Sequence, residues 1–197
     1  LSQVLEVFNK IALEVCEGQQ LDMDFETSET VSIADYVNMI RLKTAVVLGG
    51  GLKVGAIIGK ADAEQANLLY QFGLNTGIAF QLQDDILDVY GESHKVGKQK
   101  GGDIISSKKT FLLLKALELA EGEQSKDLRK WLKSDAETEK VNAVTEIYDQ
   151  LGIRKLAEER MWQYYDEGIS NLNQVQGNDV WIEMLRAFSH NLMHRES

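Results

Sequence analysis

No proline occurs anywhere in the 197 residues, and this absence constrains the fold more than any other feature of the sequence. Proline is the strongest helix breaker, because it lacks the backbone N–H and its ring clashes with the preceding turn. The residue types that favour helix are plentiful, among them alanine, leucine, glutamate, lysine and glutamine. The chain is therefore predicted to be an all-α, single-domain helical bundle over residues 1–197.

Apolar residues recur at helical spacing and divide the chain into successive helices. The first helix, over residues 1–17, is predicted to end at Gly18 and to be followed by a polar connection. Thr30 or Ser32 is expected to cap the second helix. Further helices are predicted over residues 62–90, 110–120, 124–133, 137–149, 153–175 and 179–194. Three large residues near the carboxyl end are expected in the core: Trp162, Trp181 and Phe188.

Charge and composition exclude several classes of function. The formal net charge of −10 repels nucleic acid phosphates, so no nucleic acid partner is expected. The single cysteine, Cys16, rules out an internal disulfide and suits the reducing cytoplasm. No run of about 18 apolar residues is present, so no membrane span is expected.

Three aspartates within five residues form the most informative pattern. Asp84 and Asp88 are four positions apart and share one helix face, with Asp85 about a quarter-turn away and Gln81 one turn before. Such a cluster repels itself unless a cation lies among the carboxylates. Carboxylate oxygens without histidine or cysteine favour Mg²⁺, which completes its shell with water and substrate phosphate oxygens. The pattern therefore predicts a phosphorylated substrate bridged by Mg²⁺.

A solvated acidic helix face is the alternative interpretation of these aspartates. Against it, apolar residues crowd the same helix, among them Phe80, Leu82 and Ile86. At least part of the acidic stripe is therefore expected to face an enclosed space.

Lysines that could bind a diphosphate occur at three places. Lys43 lies among apolar residues in the middle of a predicted helix, where it could also extend to solvent. Lys98 and Lys108 lie in or beside the loop that follows the acidic helix. Which lysines of this segment would bind the diphosphate stays open, because the spacing does not distinguish these two from Lys95, Lys100 and Lys109. A lysine-rich loop after an acidic metal-binding helix is typical of a lid over a metal-bound diphosphate.

Several segments, taken in order, resemble the later motifs of the trans-polyprenyl diphosphate synthases, which include farnesyl, geranylgeranyl and longer-chain enzymes. These segments are Gly18-Gln19-Gln20-Leu21-Asp22, Lys43-Thr44-Ala45, Phe80 to Asp88, Gly97-Lys98, and Gly102-Asp103-Ile104 followed by Lys108-Lys109-Thr110. The resemblance covers nearly the whole chain and is firmest over residues 18–120. The G-G-D-I and K-K-T-F segments look like those of bacterial members, in particular the Bacteroidetes group.

The resemblance implies a helical bundle around a central cavity, a homodimer, and a role for each motif. The aspartates Asp84, Asp85 and Asp88 would be the second aspartate-rich motif and hold Mg²⁺, with Asp84 a direct ligand and Asp88 acting directly or through water. The lysines at 43, 98 and 108 would hold the allylic diphosphate, which condenses with isopentenyl diphosphate. Thr44 and Gln81 would lie near the reacting carbons. Gln19 and Asp22 would either line the wall of the site or support the residues that do.

The family also has a first aspartate-rich motif, in an amino-terminal portion that is not in this sequence. The hypothesis is that these 197 residues are a truncated, carboxy-terminal part of the synthase and inactive alone. Two alternatives remain open: a class I terpene cyclase, and a non-catalytic subunit that pairs with a catalytic homologue. A ferritin-like di-iron bundle is excluded, because the sequence has no Glu-x-x-His pair.

Overall fold

The computed structural model describes residues 1–28, 30–91 and 101–195, and the regular structure in these ranges is entirely helical. The all-α prediction is thus confirmed. In chain order the helices are α1 (Ser2–Thr27), α2 (Ile33–Ile40), a π-helical turn (Arg41–Ala45), α3 (Val46–Ile58), α4 (Ala63–Tyr90), α5 (Gly102–Ile105), α6 (Phe111–Leu119), α7 (Gly122–Leu132), α8 (Glu137–Gln150), α9 (Ile153–Leu172) and α10 (Asp179–Met193).

Helix α1 extends ten residues beyond the predicted end, so the prediction that Gly18 terminates it is wrong. The helix runs through Gly18 to Thr27, and Leu21 and Phe25 pack against the core. Gly18 is buried where α1 crosses the π-helical turn: a Cβ atom there would lie 2.3 Å from the backbone nitrogen of Lys43. The glycine therefore permits close helix packing and does not end the helix.

Helix α2 begins with a capping box, which confirms the expected cap at Ser32. The Ser32 hydroxyl accepts a hydrogen bond from the Asp35 N–H at 3.1 Å, and the Asp35 carboxylate accepts one from the Ser32 N–H at 2.9 Å. The helix then widens into a π-helical turn at Arg41–Ala45 before α3 continues in the same direction. Lys43 and Thr44, predicted within an ordinary helix, lie in this turn.

Helix α4 forms the centre of the bundle. Its predicted span is confirmed, and the Asp62 carboxylate caps it by accepting a hydrogen bond from the Gln65 N–H at 2.8 Å. The π-helical turn, α3 and α9 pack along α4. Close approach is possible because Gly77 abuts the Cα of Ala45, where a Cβ atom would come within 2.6 Å. Twelve of the 28 residues of α4 are buried, Asp85 among them, so this carboxylate lies beside the core.

The helices towards the carboxyl end lie within a few residues of their predicted positions. The prediction for the aromatic residues there is partly wrong. Trp162 packs against the core, whereas Trp181 and Phe188 are 64% and 57% exposed. Their helix, α10, buries its other side, including Ser189 and Met193. Apolar periodicity marked the helix correctly but did not identify the side that faces inward.

None of the helices in the described ranges has the length and apolar composition needed to cross a membrane.

Candidate active site

The acidic cluster of α4 is divided between two environments. Asp84 and Asp88 lie one turn apart, and the Asp84 side chain is 47% exposed. An Asp88 carboxylate oxygen accepts a hydrogen bond from the backbone N–H of Asp103 at 3.0 Å. Asp85 is only 3% exposed and accepts a hydrogen bond from the hydroxyl of buried Tyr36. Two carboxylates are thus accessible and the third is enclosed.

A chain of hydrogen bonds connects Asp85 with the two uncharged residues predicted near the reacting carbons. The Thr44 hydroxyl donates to the Gln81 amide oxygen at 3.4 Å, and the Gln81 amide nitrogen donates to Asp85 at 3.4 Å. Burial raises the pKa of Asp85 to about 7, with a further contribution from the negative charge of Asp103, while Tyr36 opposes the shift. The network therefore orients the oxygens of Thr44 and Gln81.

Lys43 reaches the same region from the π-helical turn. Its ammonium lies 2.6 Å from the carboxylate of Asp22 on α1, and the lysine side chain is 35% exposed. The π-helical turn adds one residue relative to an α-helical turn, and such turns often lie at functional sites. Lys43 and Asp22, which the resemblance assigned separately to the site, are in direct contact on adjacent elements.

Lys108 and Lys109, which the spacing could not separate, have different partners. The Lys109 ammonium donates to the backbone oxygen of Phe25 at 2.6 Å, near the carboxyl end of α1. The Lys108 ammonium lies 3.5 Å from Asp103. Desolvation lowers the pKa of Lys108, but the carboxylates of Asp103, Asp85 and Asp22 outweigh it, so the pKa is raised. Lys108 therefore remains a cation facing the carboxylates.

A cavity of about 310 Å³ separates α1 from the segment that carries these two lysines. Asp22 and Lys108 contribute to its polar lining, and Phe25 and Met39 to its apolar lining. The full lining comprises Asp22, Phe25, Glu26, Met39, Ser106, Ser107, Lys108 and Lys109. The cavity is thus suited to a ligand with an anionic end and an apolar end.

The remaining predicted lysine, Lys98, lies outside the described residues, as do Lys95 and Lys100. Among the described residues, the sequence did not indicate roles for Tyr36, Asp103 and Arg195. Asp103 stood in a quoted motif without a role, and Tyr36 followed the ordinary apolar spacing of α2. Tyr36 and Asp103 come into contact with the α4 carboxylates only in the folded chain.

The oxygen donors of α4 fit a hard divalent cation. Asp84 and Asp88 offer accessible carboxylate oxygens, which Mg²⁺ prefers. In the part of the chain that the structure describes, no three histidine, cysteine, aspartate or glutamate side chains form a ready metal cage. An incomplete set of protein ligands is typical of Mg²⁺ sites that a substrate phosphate completes.

Arg195 forms an ion pair with the accessible end of this cluster. Its guanidinium donates to Asp84 at 2.5 Å and lies over the Phe80 ring, 4.1 Å from the centroid. The pair occupies an oxygen of the predicted metal ligand, so a cation that binds there competes with the guanidinium.

We therefore expect Arg195→Gln to increase the affinity of the chain for Mn²⁺, a spectroscopic substitute for Mg²⁺, by about two- to fivefold. This is the range for losing a partly exposed ion pair. Titration monitored by the electron paramagnetic resonance of free Mn²⁺ measures the change. Arg186→Gln is the control, because Arg186 pairs with Glu183 at 3.0 Å. Equal affinities for both variants would contradict the expected competition.

Comparison with known proteins identifies the family. A family model described as polyprenyl synthetase matches residues 2–151. Geranylgeranyl diphosphate synthase of Methanosarcina mazei is 32% identical over 172 residues, which cover 87% of this chain and 52% of that protein. A crystal structure of geranylgeranyl pyrophosphate synthase is 38% identical with a TM-score of 0.92, covering 100% of this chain and 62% of that one.

A further crystal structure is that of polyprenyl synthase from Caulobacter crescentus, complexed with calcium and isoprenyl diphosphate. It is 26% identical with a TM-score of 0.90, and covers 100% of this chain and 60% of that one.

These matches show how much of each relative the chain covers and from which organisms the relatives come. The chain spans about half the length of the curated relatives it matches. The curated relatives that lead the comparison, Methanosarcina mazei among them, are archaeal, so the expectation of a bacterial member is wrong. The G-G-D-I and K-K-T-F segments are thus poor indicators of origin. With the family model covering most of its residues, the chain belongs to the polyprenyl synthetase family.

Proposed function

We propose that residues 1–197 are a single domain, the carboxy-terminal part of a trans-polyprenyl diphosphate synthase. The synthase condenses isopentenyl diphosphate with an allylic diphosphate. One observation carries the proposal: two lysines from distant segments meet carboxylates around one cavity. Lys43 pairs with Asp22, which lines the cavity, and Lys108 lines it directly. Lys108 also pairs with Asp103, whose backbone N–H donates to Asp88 of α4. Cations and carboxylates so arranged suit a metal-bound diphosphate attached to an apolar chain.

In this proposal the lysines bind the diphosphate end of the allylic substrate. Lys43, Lys98 and Lys108 hold its oxygens and stabilise the negative charge that develops when the carbon–oxygen bond breaks. Asp84 and Asp88 hold Mg²⁺, which when bound neutralises charge on the leaving diphosphate. Asp85 was predicted as a third ligand. Its burial and its hydrogen bond to Tyr36 favour a supporting role, in which it fixes Gln81.

Thr44 and Gln81 act on the carbon end of the substrate. Because Thr44 donates to the Gln81 amide oxygen, both oxygen dipoles have a defined orientation near the reacting carbons. Oxygen dipoles stabilise the positive charge that forms on the allylic carbon. The apolar lining by Phe25 and Met39 excludes water, which would otherwise capture the cation.

The family assignment favours a synthase over a class I terpene cyclase. Substrate binding distinguishes the remaining alternative: a catalytic part should bind the allylic diphosphate, and a non-catalytic subunit should not. We further propose that the protein acts in the cytoplasm as a homodimer. Analytical ultracentrifugation tests the dimer directly.

Calorimetric titration of the chain with farnesyl diphosphate tests the proposed function, with and without Mg²⁺. We expect binding that requires Mg²⁺. Absence of binding in both conditions would contradict the proposal, and the non-catalytic subunit would then be favoured. If labelled isopentenyl diphosphate is turned over, the product distinguishes the enzymes: a synthase yields a longer diphosphate and a cyclase yields a hydrocarbon.

The accessible carboxylate on α4 is expected to be needed for this binding. Asp84→Asn should weaken Mg²⁺-dependent binding of inorganic diphosphate by at least about tenfold, because a ligand charge is lost while the side-chain shape is kept. Titration calorimetry at fixed Mg²⁺ measures the effect. Asp127→Asn, which removes an exposed carboxylate from α7, is the matched control. Equal affinities in the two variants would argue against a metal site at Asp84.

A further inference from the structure

Lys140 on α8 is a buried lysine with no part in the site described so far. The residue is 4% exposed, and its ammonium donates three hydrogen bonds. The acceptors are the Ile105 oxygen at 2.9 Å, the Ser107 hydroxyl at 2.8 Å and the Leu132 oxygen at 3.3 Å. A buried ammonium is costly unless its donors are satisfied, so these three contacts define where it can lie.

These acceptors belong to the ends of two helices and the turn beside them. Ile105 is the last residue of α5 and Leu132 is the last residue of α7. Backbone oxygens at helix ends lack intrahelical partners and carry partial negative charge, which a cation stabilises. Lys140 therefore joins α5 to α7 through one ammonium group.

Ser107 lies in the turn after α5, and its backbone conformation needs stabilising contacts from residues outside that turn. Its φ of 53° lies in the left-handed region, which a residue with a side chain rarely adopts. Such a conformation is strained and persists only when neighbouring groups hold it. Its hydroxyl accepts from Lys140 and donates to the Leu132 oxygen at 3.0 Å, so both contacts fix this turn.

The residue after this turn is Lys108. Its backbone N–H donates to the Asp103 oxygen at 2.9 Å, and its ammonium lies 3.5 Å from the Asp103 carboxylate. The backbone N–H of Asp103 in turn donates to Asp88. The direction of Lys108, and its distance from the α4 carboxylates, therefore depend on the segment that Lys140 holds.

We propose that Lys140 is a positioning residue for diphosphate binding, which acts by holding the 105–107 turn so that Lys108 faces the α4 carboxylates. The proposal rests on the proposed function, since it assigns Lys108 to the diphosphate. Lys140 itself does not contact the ligand in this scheme. Its effect on binding passes through Lys108 alone, which separates it from a lysine that only stabilises the fold.

The test is a double-mutant cycle with inorganic diphosphate and Mg²⁺ as the probe. Lys140→Met should weaken diphosphate binding by about tenfold, the size expected when a supporting partner of a binding group is lost. In a Lys108→Ala background the same substitution should have no further effect. Lys140→Arg, which keeps charge and donors, should restore part of the affinity. Lys133→Met, at an exposed lysine directly after α7, should bind like the wild type.

Hydrogen exchange measured by mass spectrometry on the ligand-free chain supplies an independent readout. Amides of residues 101–110 should exchange faster in Lys140→Met than in Lys133→Met, because the turn has lost its buried donor. If Lys140→Met proves too unstable to purify, Ser107→Ala replaces it, since this substitution removes one of the three acceptors. A smaller loss of affinity in the same direction is then expected.

The outcomes separate the inference from the proposed function. If the wild type binds diphosphate and Lys140→Met binds it with the same affinity, the positioning role is overturned. An equal loss in the wild-type and Lys108→Ala backgrounds would also overturn it, because the effect would not pass through Lys108. No binding of diphosphate by the wild type would instead overturn the proposed function, and the positioning role with it.

Discussion

The wild-type chain is expected to lose stability as the pH rises from about 4 to 7, and Asp85→Asn is expected to remove this dependence on pH. The carboxyl of Asp85 has a pKa of about 7 in the fold against 3.8 when exposed, so between these values the folded state holds a proton that the unfolded state releases. Stability is therefore full below about pH 4 and falls as pH rises through 7. The difference of about three pKa units corresponds to about 4 kcal/mol in the free energy of unfolding.

Urea unfolding in metal-free buffer at a series of pH values measures this slope. Asparagine keeps the shape of the side chain and an oxygen that can accept from Tyr36, so the variant should fold and be more stable than the wild type at pH 7. Asp127→Asn should keep the wild-type slope. If Asp85→Asn and the wild type had parallel stability curves, the Asp85 carboxyl would not be the group that takes up the proton.

The second large effect is expected where α1 crosses the π-helical turn. Gly18→Ala should lower the free energy of unfolding by about 3 kcal/mol, the upper end for overpacking a rigid contact. The added Cβ would lie 2.3 Å from the Lys43 backbone nitrogen and 2.8 Å from the Leu42 Cβ, so a helix must shift. Because Lys43 is carried by the shifted element, diphosphate affinity should fall as well.

Gly51→Ala is the matched control for this substitution. A Cβ at Gly51, on the exposed side of α3, meets no atom within 4 Å. Alanine is favoured over glycine inside a helix, so the control should gain about 1 kcal/mol. Chemical denaturation of both variants measures the two changes. If the free energy of unfolding of Gly18→Ala equals that of the wild type, the helices can separate at this crossing without cost.

The sequence predicted the elements with strong local signals. The span of α4 followed from the Asp62 cap and a long apolar pattern, and Ser32 was one of two candidates for the cap of α2. Local signals also grouped Asp84 and Asp88 on one helix face. The physical reason is the same in each case, because capping and helical spacing involve residues only a few positions apart.

What the sequence could not predict depends on contacts between distant residues. Gly18 looked like a helix end because glycine is a poor helix former, and only the crossing with Lys43 gives it another role. Trp181 looked like core, since apolar character does not say which side of a helix has a neighbour. The different environments of Asp84 and Asp85 likewise come from Arg195 and Tyr36, which lie 111 and 49 positions away.

The π-helical turn has a consequence for how this sequence can vary. A turn of this kind contains one residue more than regular helix needs, and it joins α2 to α3 without a break. Loss of a single residue between Arg41 and Ala45 would leave a continuous α-helix in which α2 and α3 keep their orientation, because a π-helical turn accommodates its extra residue locally. Tyr36 would still face Asp85, whereas Lys43 and Thr44, which lie in the turn itself, would be displaced. A one-residue gap here in a sequence alignment therefore indicates a change in the residues of the turn and not in the packing of α2.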